Sequence, residues 1–145
     1  MSDNDKYEGL KLERQLCFPL YAVSKEVVKR YKPFLDEINL TYTQYITMMV
    51  LWEEKEMMVK DLGAKLFLDS GTLTPVINGL EKRGYVVRRR SEKDKRDMYA
   101  VVTEEGMAIR EQAALIPAKI GACIPLEPEK AITLYQILNE MMAKF

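Results

Sequence analysis

Residues 68–102 read LDSGTLTPVINGLEKRGYVVRRRSEKDKRDMYAVV, and the fold turns on how that stretch is divided. Its first half is a helix. Leu73, Val76, Ile77 and Leu80 recur at spacings of three and four and make one inward apolar face. Asp69 or Ser70 is placed to cap that helix, and Gly84 stands where a helix ends in a left-handed residue. Pro75 falls about one turn in, where its missing N–H costs least. After Gly84 the period changes. YVVRRR and MYAVV are short, β-branched and aromatic, and the charged SEKDKRD between them makes a β-hairpin with a long tip.

Upstream of this pair the chain reads as helix. Leu12, Leu16, Leu20, Val23 and Val27 share one face of a long first helix. That helix is expected to stop near Tyr31-Lys32, because Pro33 disfavours helix at the residue before it. Thr41 or Thr43 caps a second helix through TYTQYITMMVLWEE, and MVKDLGAKLFL fits a short third. Downstream, Thr103 with Glu104 and Glu105 starts another helix, since acids suit the positive end. Residues 126–144 form the last one, with Pro117, Gly121 and Pro125 loosening the joint before it. The expected class is therefore mainly α with a small β-hairpin wing. Two short helices followed at once by a basic hairpin is the winged helix-turn-helix arrangement, in which the second helix enters the DNA major groove. Helices at both ends, flanking so small a domain, most simply pack on a second copy of the chain. The chain is read as a single domain over 1–145: about 43–103 is the winged helix-turn-helix, and about 10–32 and 104–144 are dimerisation helices.

Composition agrees and narrows the function. At 145 residues, 48% hydrophobic and 30% charged, the chain has the makings of one globular core. The polar opening MSDNDKYEGLKLERQ carries no secretory pattern, and the longest apolar run, YITMMVLW (45–52), is too short to span a bilayer. A cytoplasmic protein with reduced thiols is expected, with no membrane partner. There is no histidine, which removes His-based general bases and His-bearing zinc sites. Two cysteines 106 positions apart do not match structural zinc spacings, and no phosphate loop or nucleophile elbow is present. No metal, no cofactor and no enzyme activity are expected.

The net charge is zero but uneven: residues 82–97 hold eight bases against three acids, leaving the remainder at −5. Such a local excess can neutralise phosphates, although a solvated surface hairpin would look the same. The candidate DNA contacts are Asp69, Ser70, Thr72 and Thr74 around the helix start and Arg88, Lys93, Asp94, Lys95 and Arg96 in the hairpin. Small hydroxyls at a helix N-terminus suit close approach to phosphates and base edges, or simply cap and space the helix. Asp94 stands two residues from Arg96 and can hold its guanidinium in one orientation, so that Arg96 projects into a narrow minor groove.

LDSGTLTP and EKRGYVVRRRSEKDKRDMYAVVTEEG resemble the winged-helix core of the MarR family of bacterial repressors. With LKLERQLCFPLY, RYKP, LTYTQY and VLWE, the chain is most similar to its organic-hydroperoxide-sensing branch, OhrR, over nearly its whole length from Leu10. That resemblance implies a redox-sensing repressor dimer on a palindromic operator, with organic hydroperoxide as inducer. Cys17 would be the sensing thiol, and the hydroxyls of Tyr31 and Tyr42 would bond its thiolate, with Tyr21 on the same stripe of helix one. On residues alone the reading of Cys17 leans towards buried filling, since free cysteine packs as a small hydrophobe. Tyr31 lies fourteen residues beyond it, about 21 Å along a helix, so if these phenols bond the thiolate, as the resemblance implies, they should come from the other protomer. A thiolate attacks peroxide, so the sulfur needs donors or positive charge beside it, and Phe18 with apolar neighbours suits organic peroxides. The first product is a sulfenic acid, which a second thiol converts to a disulfide. Cys123 resembles the C-terminal cysteine of the two-cysteine branch, where the disulfide joins different subunits. Pro19 departs from the pattern and is expected to free the Gln15 carbonyl and kink the helix beside the sulfur. Two other functions stay open: a MarR-type repressor released by a small aromatic ligand, with Cys17 structural, and a thiol peroxidase.

Overall fold

The computed structural model describes residues 3–145. After a single turn α1 (Asp3–Lys6) and two 3₁₀ turns at Glu8–Leu10 and Leu12–Arg14, the order is α2 (Cys17–Asp36), α3 (Tyr42–Glu54), β1 (Glu56–Met58), α4 (Val59–Leu66) and α5 (Ser70–Lys82). Then come β2 (Val86–Arg90), β3 (Met98–Val102), α6 (Glu104–Ala108), α7 (Arg110–Ala113), α8 (Ile116–Cys123) and α9 (Pro128–Met142). The expected winged helix-turn-helix is present, with α4 and α5 as the helix pair and β2–β3 as the wing. The wing carries one strand more than expected: β1 pairs with β3, making an antiparallel sheet of order β1-β3-β2 with Met57 opposite Ala100 and Arg88 opposite Ala100 from the other side.

The caps settle two choices that the sequence left open. Thr41, not Thr43, caps α3: its hydroxyl accepts from the Gln44 N–H at 3.3 Å, and Gln44 Oε1 accepts from the Thr41 N–H at 3.0 Å. This reciprocal box satisfies two otherwise orphaned donors. Asp69, not Ser70, caps α5, its Oδ1 accepting from the Thr72 N–H at 2.8 Å. Gly84 is left-handed as expected, with φ +77°. Pro75 sits at the sixth position of α5, beyond the turn whose N–H groups are free, so it withdraws a donor from the Gly71 carbonyl.

The first helix departs from expectation at both ends. It starts at Cys17 rather than Leu12, because Pro19 is tolerated in a helix's first turn and disfavoured in its interior. The chain before it is held in 3₁₀ turns by Gln15 Nε2, which donates to the carbonyls of Gly9 at 2.6 Å and Lys11 at 3.0 Å. Glu8 adds ion pairs to Lys11 and Arg14. Pro19 is thus the third helical residue, and Gln15 lies outside the helix, so the expected interior kink is absent. At the other end α2 runs through Pro33 to Asp36. The lost bond to Lys29 is offset by burial of Leu35, with Phe34 packed on the same core.

That core lies between α3, α4, α5 and the sheet: Met48, Leu51, Leu62, Leu80 and Ala100 are fully enclosed. The C-terminal arm is more broken than expected. Pro117 restarts the helix as α8, and α6, α7 and α8 replace one continuous helix. Of the 20 residues of α2 only Leu35 is buried, and of the 15 of α9 none is. Their apolar side chains, Phe18, Tyr21, Val23 and Val28 on α2 and Ile132, Leu134, Tyr135 and Ile137 on α9, face outward. No helix among the described residues is long and apolar enough to cross a membrane.

Candidate nucleic-acid interface and thiol site

The outer face of α5 carries Ser70, Thr72, Thr74 and Asn78, all exposed, while Leu73, Val76, Ile77 and Leu80 point into the core. Helix spacing therefore produces a polar strip free to enter a groove. Ser70 and Arg96 line one cleft of about 410 Å³, so the helix start and the wing tip look onto a common surface. The tip is built as the sequence suggests: Asp94 Oδ1 accepts from Arg96 Nε at 3.2 Å and from the Arg96 backbone N–H at 3.0 Å, and Oδ2 accepts from Nη2 at 3.0 Å. The Arg96 guanidinium and its N–H hold the Asp94 carboxyl below the usual carboxylate range, and the carboxylate in turn raises Arg96. With the Arg96 side chain 90% exposed, the pair adds little stability; it aims the charge.

Several of the expected contacts have other work within the chain. Asp69 is the cap of α5. Arg88 is a strut, bonded through Nε to Glu81 at 2.7 Å and through Nη2 to Asn78, which ties the wing to α5. Lys93 and Lys95 are exposed, and the Lys95 carbonyl takes a 2.7 Å bond from Arg90 that shapes the tip. The sequence reading missed Asn78, whose spacing of four from Thr74 was the available signal. It also missed Lys60, which reaches the wing through Asp97 at 3.5 Å.

Cys17 is exposed at the first position of α2, the end where free amides and the helix dipole favour negative charge. It is not core filling. Tyr31 lies on the same unbroken helix, fourteen residues and about 21 Å away. There it meets Tyr42 from the start of α3, with ring centroids 5.0 Å apart. Burial pushes Tyr31 up to about 12, reinforced by the neighbouring Tyr42 and Tyr45 hydroxyls, and burial also raises Tyr42. Both phenols therefore stay protonated at neutral pH and can donate. Tyr21 is not brought to them within one chain: it is exposed, with Lys25 Nζ 5.0 Å from its ring centre.

Cys123 is also exposed and free, at the end of α8. It lines an apolar cleft of about 670 Å³ with Val23, Val27, Leu134 and Tyr135, between α2 and α9. Among the described residues no cluster could hold a metal ion.

A polar helix face, a basic wing beside it and two long arms with outward apolar faces define a winged-helix regulator. A family model for the transcriptional regulators SarA/Rot matches residues 29–112. The organic hydroperoxide resistance transcriptional regulator of Bacillus subtilis (strain 168) is 47% identical over 116 residues, 80% of this chain and 79% of that protein. Among solved structures, reduced AbfR bound to DNA is 34% identical, with a TM-score of 0.73 over 95% of this chain and 99% of that one. Disulfide-formed AbfR, 33% identical, gives 0.64 over 97% and 99%; AbfR is a protein of Staphylococcus epidermidis. The chain belongs to the MarR family of winged-helix transcriptional regulators, on the branch of the organic hydroperoxide sensors.

Proposed function

We propose that this chain is a homodimeric, redox-sensing repressor that binds a palindromic operator when reduced and leaves it when organic hydroperoxide oxidises Cys17. The observation that carries the reading is the separation of sulfur and phenols. Cys17 opens α2 in the open, and Tyr31 and Tyr42 converge at the far end of the same helix. An antiparallel crossing of two copies of α2 brings each sulfur to the other chain's phenols and covers the outward faces of α2 and α9. Residues 10–32 and 104–144 are then dimerisation segments, and 43–103 the reading head. Ser70, Thr72 and Thr74 approach the major groove, the Asp94–Arg96 tip reaches the minor groove, and Lys93 and Lys95 meet phosphate. Asp69 and Arg88 position these groups rather than contact DNA.

The chemistry is that of a thiolate. The Cys17 sulfur attacks the outer peroxide oxygen, an S–O bond forms as the O–O bond breaks, and the alkoxide leaves and takes a proton. Sulfur is oxidised to the sulfenic acid and the peroxide reduced to an alcohol. The partner subunit's Cys123 then supplies a thiol that displaces water and forms an intersubunit disulfide. An exposed thiol beside an apolar cleft suits that role, and a switch of this kind, which starts from reduced thiols, suits a cytoplasmic setting.

The test is operator binding by wild type, Cys17→Ser and Cys123→Ser, with and without an organic hydroperoxide. Release of wild type and retention of Cys17→Ser is the expected result. Peroxide-driven release of Cys17→Ser would sink the proposal. Release by an aromatic ligand under reductant would favour a ligand-responsive repressor, and repeated peroxide turnover would favour a peroxidase.

A further inference from the structure

Tyr45 belongs to this site although nothing in its sequence context marks it. It sits in the apolar run of α3, one turn after Tyr42, and is only 3% exposed. Its ring centre is 5.8 Å from Tyr31 and 6.4 Å from Tyr42, and on the far side it meets Trp52 edge-on at 6.4 Å. Tyr31 and Tyr42 come from different helices and are themselves only half-buried, so neither can fix the other. The enclosed ring behind both is the surface against which they are set.

We propose that Tyr45 is a positioning residue of the thiol site: its ring holds the Tyr31 and Tyr42 hydroxyls at the spacing that receives the partner subunit's Cys17. This deepens the reading of Cys17 as a sensing thiolate and rests on it. Aromatic packing of this tilted kind constrains ring orientation as well as burying area. The consequence is specific: removing the ring loosens two hydrogen-bond donors without removing either, and the sulfur becomes less available as thiolate. The Tyr45 hydroxyl itself is not required.

The measurement is the rate of Cys17 alkylation by iodoacetamide at fixed pH in the reduced dimer, in a Cys123→Ser background, with thiolate ultraviolet absorbance as a second readout. Tyr45→Leu slows alkylation by about tenfold and reduces the absorbance, as loss of donors to a thiolate requires. Tyr45→Phe restores both. Operator binding and circular dichroism of the reduced protein report folding; where Tyr45→Leu does not fold, Tyr45→Met is read instead. A merely structural role would shift the melting temperature and leave both thiol readouts alone, as Leu35→Ala is expected to do. Wild-type alkylation in a folded Tyr45→Leu or Tyr45→Met protein would overturn the proposal. So would a Tyr45→Phe protein as slow as Tyr45→Leu, which would assign the effect to the hydroxyl. Tyr31→Phe and Tyr42→Phe separate the two levels. If neither slows alkylation, the thiolate reading itself has failed; if they do and Tyr45→Leu does not, only this inference has.

Discussion

Replacing each of the two prolines of α2 by alanine tests the account of where the sulfur sits. Pro33 is the seventeenth residue of the 20-residue helix, and Pro19 the third. An interior proline removes a hydrogen bond and clashes with the preceding turn, at about 3 kcal/mol relative to alanine. Releasing that penalty is partly cancelled by the freer unfolded chain, a loss of about 0.4–1 kcal/mol. Pro33→Ala should therefore stabilise the protein by about 2 kcal/mol. Pro19 occupies a turn whose N–H groups have no helical acceptor, so only the unfolded-state effect remains. Pro19→Ala should leave stability within about 1 kcal/mol, on the destabilising side. Urea unfolding of the reduced protein at one fixed concentration reads both, because dimer stability depends on concentration. A second readout follows from the fold. Without Pro19 the helix can grow back toward Leu12, and Cys17 loses its place at the positive end. An exposed charge there is worth about 0.3–1 kcal/mol, which is roughly a two- to fivefold slowing of sulfenic acid formation. Equal stabilisation by the two substitutions would refute the helix start, and with it the dipole's part in the chemistry.

Asp94→Ala frees the Arg96 guanidinium and is expected to weaken operator binding, while Arg96→Ala weakens it more and lowers the salt slope by about 1; unchanged binding of both, by fluorescence anisotropy across a salt series, would take the wing tip out of the interface. Trp52→Phe deletes the 2.7 Å bond from Nε1–H to the Gly106 carbonyl and leaves a buried acceptor unpaired. A loss of about 1–3 kcal/mol in urea unfolding is expected. Tyr31 titrates at about 12 in the folded chain against 10.0 for a free phenol, its neutral form being favoured by burial. Its contribution to stability is therefore whole below pH 10 and is lost as pH rises from 10 to about 12, which alkaline unfolding followed by tyrosinate absorbance will show; flat stability through that window would contradict it.

What the sequence made legible was whatever is written locally. Capping side chains, the left-handed Gly84 and the switch from helical to strand periodicity placed α3, α5 and the wing within a residue or two. The failures have tertiary causes. Leu12 and Leu16 keep helical spacing, yet lie outside the helix because Pro19 fixes its start. Pro33 is overruled by Leu35, which packs into the core one residue from the helix end. β1 is three residues long, too short to show any alternation, and exists because β3 offers an edge. Of the proposed site, Cys17, Tyr31 and Tyr42 were named from the sequence, whereas Tyr45 reads as one more apolar position in YITMMVLW until its neighbours are known. Arg88 looked like one base in a run, and only the fold shows Glu81 and Asn78 within its reach.

On the proposed function, the arrangement around α3 gives chemistry at one sulfur a route to the surface that reads DNA. One 13-residue helix carries Tyr42 and Tyr45 at its start and Trp52 near its end. Trp52 bonds the Gly106 carbonyl, and Gly106 has no room for a side chain: a Cβ there would strike the Tyr85 carbonyl and a Val102 methyl. Those two residues are the root of the wing, where Thr103 N–H also bonds the Tyr85 carbonyl at 3.0 Å. A helix is stiff along its axis and its core neighbours are close-packed, so α3 joins the phenol end to the wing root through continuous packing. On the proposed function, oxygen added to the Cys17 sulfur, or a disulfide drawn toward Cys123, would displace the phenols, and α3 is the element that links them to the wing. The reading head has then only to turn as a unit against its twin, since two heads bind two half-sites together only at one spacing.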